Sequence, residues 1–214
     1  KKPVFFGLDA KNDFYAKNIK NSGDGKVLAT LCFDNKNIDV EIPAIGTYMV
    51  TNALAAAAAG KLLGLTDEEI ANGVASYKTV GSRANVINTG KIKIIDDCYN
   101  ANPTSVRASL DTLSNLDGRK VAILGDMKEL GSEELKLHFD TGVYAKSKGI
   151  GTVITVGELA KELAKGADGK AFDTIEDAKP EILKTIKSGD VVLVKASPRT
   201  PTMCTSARTR PSTA

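Results

Sequence analysis

The sequence predicts an α/β protein in two parts: a small unit of strands with an alanine-rich helix, then a unit built on a mostly parallel sheet. Two observations predict this fold class. Short β-branched or aromatic runs, divided by turn-forming residues, fill the start of the chain. In the second half, buried-type strands alternate with helical stretches, which is typical of a parallel sheet with helices on its faces.

The first unit is predicted to hold short strands followed by two helices. Strands are expected at residues 14–16, 27–33 and 38–42, with hairpin turns at 21–25 and 34–37. The run Val4–Leu8 is also strand-like. A helix is expected from about Tyr48 to Leu63, because its core is nearly all strong helix formers, with Gly64 as its C′ stop. Thr66 and Glu69 fit a capping box that begins a second helix.

The second unit is predicted to begin in the turn-rich residues 77–82. Residues 86–87 and 92–96 flank Asn88-Thr89-Gly90 as a hairpin. Buried-type strands are expected at 121–124, 152–156 and 191–194, and helices near 104–115, 132–148, 158–165 and 175–187. The predicted domains are residues 1–79 and 80–197. Residues 198–214 are rich in Pro, Thr, Ser and Arg, and this composition predicts a disordered tail.

Composition argues against several classes of protein. The net charge is only +3 and the basic residues are spread along the chain, so no nucleic-acid partner is predicted. The three cysteines are far apart and show no metal-site or disulfide spacing, which favours a reduced, cytosolic protein. No apolar run reaches the roughly 18 residues of a membrane span, and no signal peptide opens the chain, so no membrane partner is predicted.

The densest cluster of polar groups is Asp96–Pro103, which follows an apolar strand and precedes a helix. Pro103 is expected at the first helical position. The carboxyl end of a strand in an open α/β sheet is where ligands bind. A carboxylate, a phenol and two amides there could bind a ribose and a nucleobase, or help hold hydrated Mg²⁺. The residues alone leave open a second interpretation, an Asx-rich turn that caps the next helix.

Four segments, in the same order, resemble motifs of the Mur ligases that join D-alanyl-D-alanine to UDP-N-acetylmuramoyl-tripeptide. Asp96–Pro103 is similar to their DDSYNANP motif and Leu124–Gly131 to LGDMxELG. Tyr48–Ala56 resembles the HNxxNALAA helix, and Val80–Arg83 resembles the VPGR joint between the central and C-terminal domains. The resemblance runs from the first residues to about Ser197. The DDSYNANP and LGDMxELG motifs together are specific to this ligase among its relatives.

The resemblance implies an ATP-dependent amide ligase of peptidoglycan synthesis. Such enzymes activate a peptide carboxylate with ATP to an acyl phosphate, which the amine of the incoming dipeptide attacks, and Mg²⁺ neutralises phosphate charge. Residues 1–79 would be the C-terminal part of the central ATP-binding domain, and residues 80–197 a Rossmann-like C-terminal domain. The substrates would be UDP-N-acetylmuramoyl-tripeptide and D-alanyl-D-alanine, and we expect a cytoplasmic monomer.

The resemblance also implies a set of nucleotide-binding residues. Asn52 would bind the base side, Arg83 would reach phosphate or ribose, and Asp97 would bind ribose. The adenine pocket would be lined by Tyr99, Asn100 and Asn102. Without the resemblance, Asn52 could equally be a neutral residue of a helix surface and Arg83 a solvated linker charge. Cys98 stands where serine is usual and is interpreted as a small filler, since no neighbour in sequence would make it a nucleophile.

Four further residues are candidates for binding the other substrates. Asp126 follows a strand and could receive the ammonium of the dipeptide, or cap the next element. His138 is the only histidine; it falls at the family's usual position after LGDMxELG and could face the dipeptide, or be a structural helix residue. Lys195 and Ser197 resemble the family's VKGS segment and are assigned a role in substrate binding.

The sequence departs from the family in three places. It contains no GxxxxGK[ST] loop for ATP phosphates; in the family that loop, a modified lysine, a metal-binding histidine and the UDP-binding domain would precede residue 1. We therefore predict no catalytic or metal-binding residue in this chain, and an inactive fragment. Tyr48-Met49 replaces the usual His-Asn pair. After Ser197, Pro198 stands where the family continues Arg-x-Met.

Two alternatives remain. One is another Mur or folylpolyglutamate-type ligase, although the DNxR-type signature of the muramoyl-tripeptide synthetase does not occur. The other is a non-catalytic α/β module that binds a nucleotide or dipeptide, although no GxGxxG supports a dinucleotide-binding module.

Overall fold

The structure, a computed structural model, describes residues 2–22, 25–79 and 83–197. It divides into two compact units, Lys1–Thr79 and Val80–Ala214. The tail predicted to be disordered, residues 198–214, and three residues of the predicted joint, 80–82, lie outside the described residues.

The first unit contains a three-stranded antiparallel sheet in the order β1-β2-β3. Its strands are β1 (Tyr15–Asn21), β2 (Val27–Phe33) and β3 (Lys36–Ile42). All three predicted strands are therefore confirmed. Asp34 and Asn35 make the tight turn between β2 and β3 with φ of 49° and 58°, a conformation that these two residue types tolerate. The other predicted hairpin turn includes residues 23–24, which the structure does not describe.

The strand-like run Val4–Leu8 does not form a strand. Phe6 makes only an isolated bridge to Phe14. Phe5 is 59% exposed, and the chain then turns, with the amide of Asn12 donating to the carbonyl of Asp9 at 3.0 Å. The predicted strand is absent because the turn at Asp9–Asn12 ends the pairing after a single bridge.

Two helices pack on this sheet, α1 (Tyr48–Leu62) and α2 (Asp67–Ala75). Gly64, with φ +89°, follows the end of α1 as predicted. The predicted capping box is also confirmed. The amide of Glu69 donates to Thr66 Oγ1 at 3.2 Å, and the amide of Thr66 donates to Glu69 Oε2 at 2.8 Å. Leu31, Val27, Val50 and Leu54 lie at the centre of the resulting core.

The second unit is a six-stranded sheet with helices on both faces. Its strands are β4 (Asn85–Asn88), β5 (Lys93–Asp96), β6 (Arg119–Gly125), β7 (Thr152–Val156), β8 (Lys170–Phe172) and β9 (Asp190–Lys195). Its helices are α3 (Pro103–Ser114), α4 (Glu134–Ser147), which a 3-10 turn at Gly131–Glu133 precedes, α5 (Ala160–Ala167) and α6 (Ile175–Thr185). The predicted helices and strands are confirmed, and the three-residue β8 was not predicted.

The strand order is β4-β5-β9-β6-β7-β8, and every pairing is parallel except the β4–β5 hairpin. The predicted mostly parallel sheet is thus confirmed. The last strand, β9, lies between β5 and β6, and all six of its residues are buried. This order brings the carboxyl ends of β5, β9 and β6 side by side. Within the described residues, no helix is both long and apolar enough to cross a membrane.

Candidate functional site

The turn after β5 is organised around the carboxylate of Asp97, which is 9% exposed. Its Oδ1 accepts from the amide of Ala84 at 3.1 Å. Its Oδ2 accepts from Ser109 Oγ and from Lys195 Nζ, both at 2.7 Å. A carboxylate has about four acceptor positions, so about one remains for a ligand. Sequence reasoning singled out Asp97 but missed Ser109 and Ala84, because neither belongs to a motif.

Lys195 ends β9 and its side chain is 3% exposed. Besides the bond to Asp97 Oδ2, its Nζ donates to the carbonyl oxygens of Asn100 at 2.8 Å and Asp97 at 3.4 Å. A lysine ammonium has three N–H donors. All three therefore have acceptors inside the protein, and the structure gives Lys195 a role within the turn.

Arg83 and Tyr99 form the exposed part of this region. The guanidinium carbon of Arg83 lies 3.6 Å from the centroid of the Tyr99 ring, a cation–π contact. Tyr99 is 54% exposed. The pair offers an aromatic surface and a positive charge, two features that suit a nucleotide.

The two asparagines of the turn differ in what they contact. Asn102 caps α3: its Oδ1 accepts from the amide of Ser105 at 2.8 Å, and its own amide donates to Ser105 Oγ at 3.1 Å. Asn102 thus has the capping role that the Asx-turn interpretation predicts, and Pro103 begins the helix as expected. Asn100 is exposed, and its Oδ1 accepts from the amide of Ala101 at 2.8 Å. Cys98 is buried, with Sγ 3.6 Å from the carbonyl oxygen of Val194.

The turn after β6 is organised around Asp126, which is 5% exposed. Its Oδ1 accepts from the amide of Ala160, the first residue of α5, at 2.8 Å, and its Oδ2 pairs with Lys128 Nζ at 2.7 Å. Asp126 therefore binds the first turn of α5, which follows β7, and does not cap the next element along the chain, one of its two predicted roles. Gly157 is required beside it, because an added Cβ would collide with this carboxylate.

His138 is fully buried in α4. Its Nε2 accepts from the amide of Met127 at 2.9 Å, and its Nδ1 lies 2.7 Å from the carbonyl oxygen of Glu134. Nδ1 must carry the hydrogen, because an amide donates to Nε2 and a carbonyl faces Nδ1. Both ring nitrogens are thus occupied within the protein, which is the structural role that the sequence left open.

The carboxyl end of β9 connects the two turns. Lys195 contacts the turn after β5, and the amide of Ser197 donates to the carbonyl oxygen of Asp126 at 3.3 Å in the turn after β6. Ser197 is 5% exposed. The structure therefore brings together Asp97, Lys195, Ser197 and Asp126 along one edge of the sheet.

Asn52 lies in the first unit, on the exposed side of α1, and its Nδ2 donates to Met49 Sδ at 3.4 Å. It lines a largely apolar cavity of about 330 Å³ between α1 and α2. Ala53, Ala56 and Tyr77 are among the other lining residues.

Comparisons with known proteins agree with this architecture. The family "Mur ligase, glutamate ligase domain" matches residues 82–198, more than half of the chain, and "Mur ligase middle domain" matches residues 1–60. The UDP-N-acetylmuramoyl-tripeptide--D-alanyl-D-alanine ligase of Bacillus subtilis is 34% identical in an alignment of 203 residues that covers 90% of this chain and 44% of that protein.

Solved structures give the same result. A MurF crystal structure from Acinetobacter baumannii has a TM-score of 0.88 and 30% identity, covering 95% of this chain and 46% of that one. MurF ligase from Thermotoga maritima in complex with ADP has a TM-score of 0.83 and 26% identity, covering 95% of this chain and 47% of that one. The chain thus spans less than half the length of these relatives.

Proposed function

Because the chain belongs to the Mur ligase family, we propose that it forms the nucleotide-side wall of a cytoplasmic, ATP-dependent ligase that adds D-alanyl-D-alanine to UDP-N-acetylmuramoyl-tripeptide. The observation that carries the proposal is the exposed Arg83–Tyr99 pair beside Asp97, at the carboxyl edge of a parallel sheet. That edge is where ligands bind in open α/β sheets. The name of the Bacillus relative and the ADP bound to the Thermotoga relative support the same function.

In the proposed nucleotide site, each group has a distinct task. The Tyr99 ring stacks on the base, and Arg83 faces phosphate or ribose. The remaining acceptor position of Asp97 takes a ribose hydroxyl, and the exposed amide of Asn100 contacts the base. Separately, we propose for Asn52, in the first unit, a contact with a nucleotide base. Asn102 supports the site by capping α3.

The proposed reaction is amide formation through an acyl phosphate. The peptide carboxylate takes the γ-phosphoryl group of ATP and ADP leaves; the amine of D-alanyl-D-alanine then attacks the acyl carbon, and phosphate leaves. Mg²⁺ would supply neutralisation of phosphate charge. No group of three or more His, Cys, Asp or Glu side chains that could hold a metal ion occurs among the described residues. Their contribution is binding and orientation.

We place the dipeptide beside the turn after β6. Hydrogen bonds fix the conformation of this turn: His138 accepts from the amide of Met127, and Asp126 accepts from the amide of Ala160. Ser197 joins it to the end of β9. The dipeptide would therefore meet a surface whose backbone is fixed by these residues.

Calorimetric titration of the chain with ADP, NAD and D-alanyl-D-alanine tests nucleotide binding. We expect saturable binding of ADP, which Tyr99→Ala weakens by about 5-fold to 150-fold, because stacking of a base on an aromatic ring contributes about 1–3 kcal/mol. Tyr99→Phe is the matched control, since it keeps the ring and should keep the affinity. Equal ADP affinity for Tyr99→Ala and the unchanged chain would contradict the site. Tighter binding of NAD than of ADP would favour a dinucleotide-binding module.

A chimera tests the ligase activity. The segment of the Bacillus subtilis ligase that this chain matches is replaced by this chain, and folding is checked by circular dichroism. We expect phosphate release from ATP only when UDP-N-acetylmuramoyl-tripeptide and D-alanyl-D-alanine are both present. A folded chimera that uses a single amino acid in place of the dipeptide, or that releases no phosphate, would overturn the assignment.

A further inference from the structure

We propose that Lys195 is a positioning residue of the nucleotide site: its buried ammonium holds the two chain segments that carry Arg83 and Tyr99. This inference rests on the proposed function. It differs from the role in substrate binding that the VKGS-like segment predicts for Lys195. The alternative, direct contact with a substrate, is an outcome of the test below.

The burial and the hydrogen bonds of Lys195 favour a positioning role. Its side chain is 3% exposed, and its three donors are directed at Asp97 Oδ2 and two carbonyl oxygens. A ligand could reach the ammonium only by displacing one of these partners. Such a displacement would leave a buried carboxylate or carbonyl without its partner, which is costly.

The segments that the pair holds are the neighbours of Arg83 and Tyr99. Asp97 accepts from the amide of Ala84, the residue directly after Arg83. Lys195 donates to the carbonyl of Asn100, the residue directly after Tyr99. The buried Asp97–Lys195 ion pair therefore anchors the segment of Arg83 and the segment of Tyr99. The 3.6 Å contact between the guanidinium and the ring depends on both anchors.

The backbone at Ala84 shows that this anchoring has to overcome strain. Its φ is +52°, in the left-handed region that residues with a Cβ rarely adopt. Such a conformation is strained and persists when the surroundings fix it. The hydrogen bond to Asp97 is a contact that fixes it, and Asp97 in turn is held by Lys195 and Ser109.

Lys195→Met removes the ammonium and keeps an unbranched apolar side chain of similar length. Asp97 then loses its counter-charge, and the segments at 83–84 and 97–101 should loosen. If the ordered arrangement falls to about a tenth of the population, the apparent ADP affinity falls by about tenfold. Arg119→Met is the matched control. It breaks the ion pair of the buried Asp190, at the opposite end of β9.

Two measurements are made on the full chain, on Lys195→Met and on Arg119→Met. The first is hydrogen–deuterium exchange of the amides of residues 83–85 and 97–102 without nucleotide. The second is ADP affinity by calorimetry. We expect faster exchange in both segments and weaker ADP binding for Lys195→Met. Arg119→Met should lower thermal stability and change neither measurement at these residues.

The outcomes separate this inference from the proposed function. Unchanged exchange in Lys195→Met would overturn the inference, whatever the ADP result, and weaker ADP binding with unchanged exchange would indicate direct contact with the ligand. Faster exchange with unchanged ADP affinity would also overturn it. Absence of ADP binding to the unchanged chain would count against the proposed function, while the exchange data would still decide whether Lys195 orders the two segments.

A double-mutant cycle with Asp97→Asn gives a further readout. If Lys195 acts through Asp97, Lys195→Met should reduce ADP affinity much less in the Asp97→Asn background than in the unchanged chain. Additive losses would show that Lys195 acts independently of Asp97 and would overturn the inference.

Discussion

His138 shows how one buried side chain can fix a turn. The amide of Met127 donates to its Nε2 at 2.9 Å, and the residue is fully buried. His138→Phe would leave that amide without an acceptor, and we expect a loss of about 1–3 kcal/mol in the free energy of unfolding. Urea denaturation followed by circular dichroism would measure it.

His138→Gln is the matched variant, because a glutamine carbonyl can accept from Met127 where a phenylalanine ring cannot. We expect its destabilisation to be clearly smaller. If His138→Phe were as stable as the unchanged protein, the hydrogen bond to Met127 would not be what His138 contributes.

At the scale of residues, the sequence predicted which side chains cluster but not how they pair. Asp97 and Lys195 were both singled out, yet they were assigned to different ligands. Their pairing joins residues 98 positions apart and follows from the position of β9 beside β5, which no local pattern specifies. Asn102 has the helix-capping role that the sequence leaves open, whereas Asp126 binds the first turn of α5, a helix distant in sequence that no local pattern indicates.

The crossing of α4 and α5 depends on two glycines that face each other's helix. A Cβ added to Gly142 would overlap the carbonyl oxygen of Leu163, and one added to Gly166 would overlap that of Phe139. Because both obstacles are backbone atoms, neither can move aside by changing a rotamer. We expect Gly142→Ala and Gly166→Ala each to destabilise the second unit by about 1–3 kcal/mol, measured by thermal unfolding.

Gly73 in α2 provides the contrast. An added Cβ there meets no atom within 4 Å. Gly73→Ala should therefore raise the stability of the first unit by up to about 1 kcal/mol, because alanine has the higher helix propensity. A destabilised Gly73→Ala, or a neutral Gly142→Ala, would show that helix propensity and backbone clearance do not decide these positions.

At the scale of elements, local sequence signals predict where the helices begin, but they do not predict the order of the strands in the sheet. The capping box of Thr66 and Glu69 marked the start of α2, and Pro103 marked the start of α3. Both signals act within one turn of helix, so the sequence displays them directly. The three-residue β8 was missed because so short a strand has no periodicity. The central position of β9 depends on pairing with β5 and β6, which are distant in sequence.

At the scale of the whole molecule, each unit contains a carboxylate whose pKa is lowered by basic neighbours. In the first unit, hydrogen bonds from Lys36 and Lys61 hold the pKa of Asp67 below its usual range. In the second, the hydrogen bond from Arg119 does the same for the pKa of Asp190. The two differ in exposure: the side chain of Asp67 is 29% exposed and that of Asp190 is 1% exposed.

Both units should consequently lose stability in acid. A lowered pKa in the folded state means that the carboxylate stabilises the fold above its unfolded pKa of about 3.9, and that this contribution disappears as pH falls through the folded value. We therefore expect the free energy of unfolding of each unit to decrease as the pH is lowered below about 4. Asp190→Asn should lower stability at neutral pH and make the acid dependence of the second unit shallower.

High salt should distinguish the contribution of the Asp67 ion pairs to stability from that of the Asp190 ion pair. Exposed ion pairs are screened in about 1 M NaCl, where the screening length is about 3 Å, and buried pairs are screened much less. Urea unfolding between pH 2 and 7, with and without salt, would therefore show a weakened acid dependence in Asp67's unit and a largely retained one in Asp190's unit. An Asp190→Asn variant with the acid dependence of the unchanged chain would show that the Arg119 pair contributes nothing to it. The Arg119–Asp190 ion pair joins the start of β6 to the start of β9, and we expect it to hold these two strands together. That result would show that it does not stabilise their pairing in a pH-dependent way.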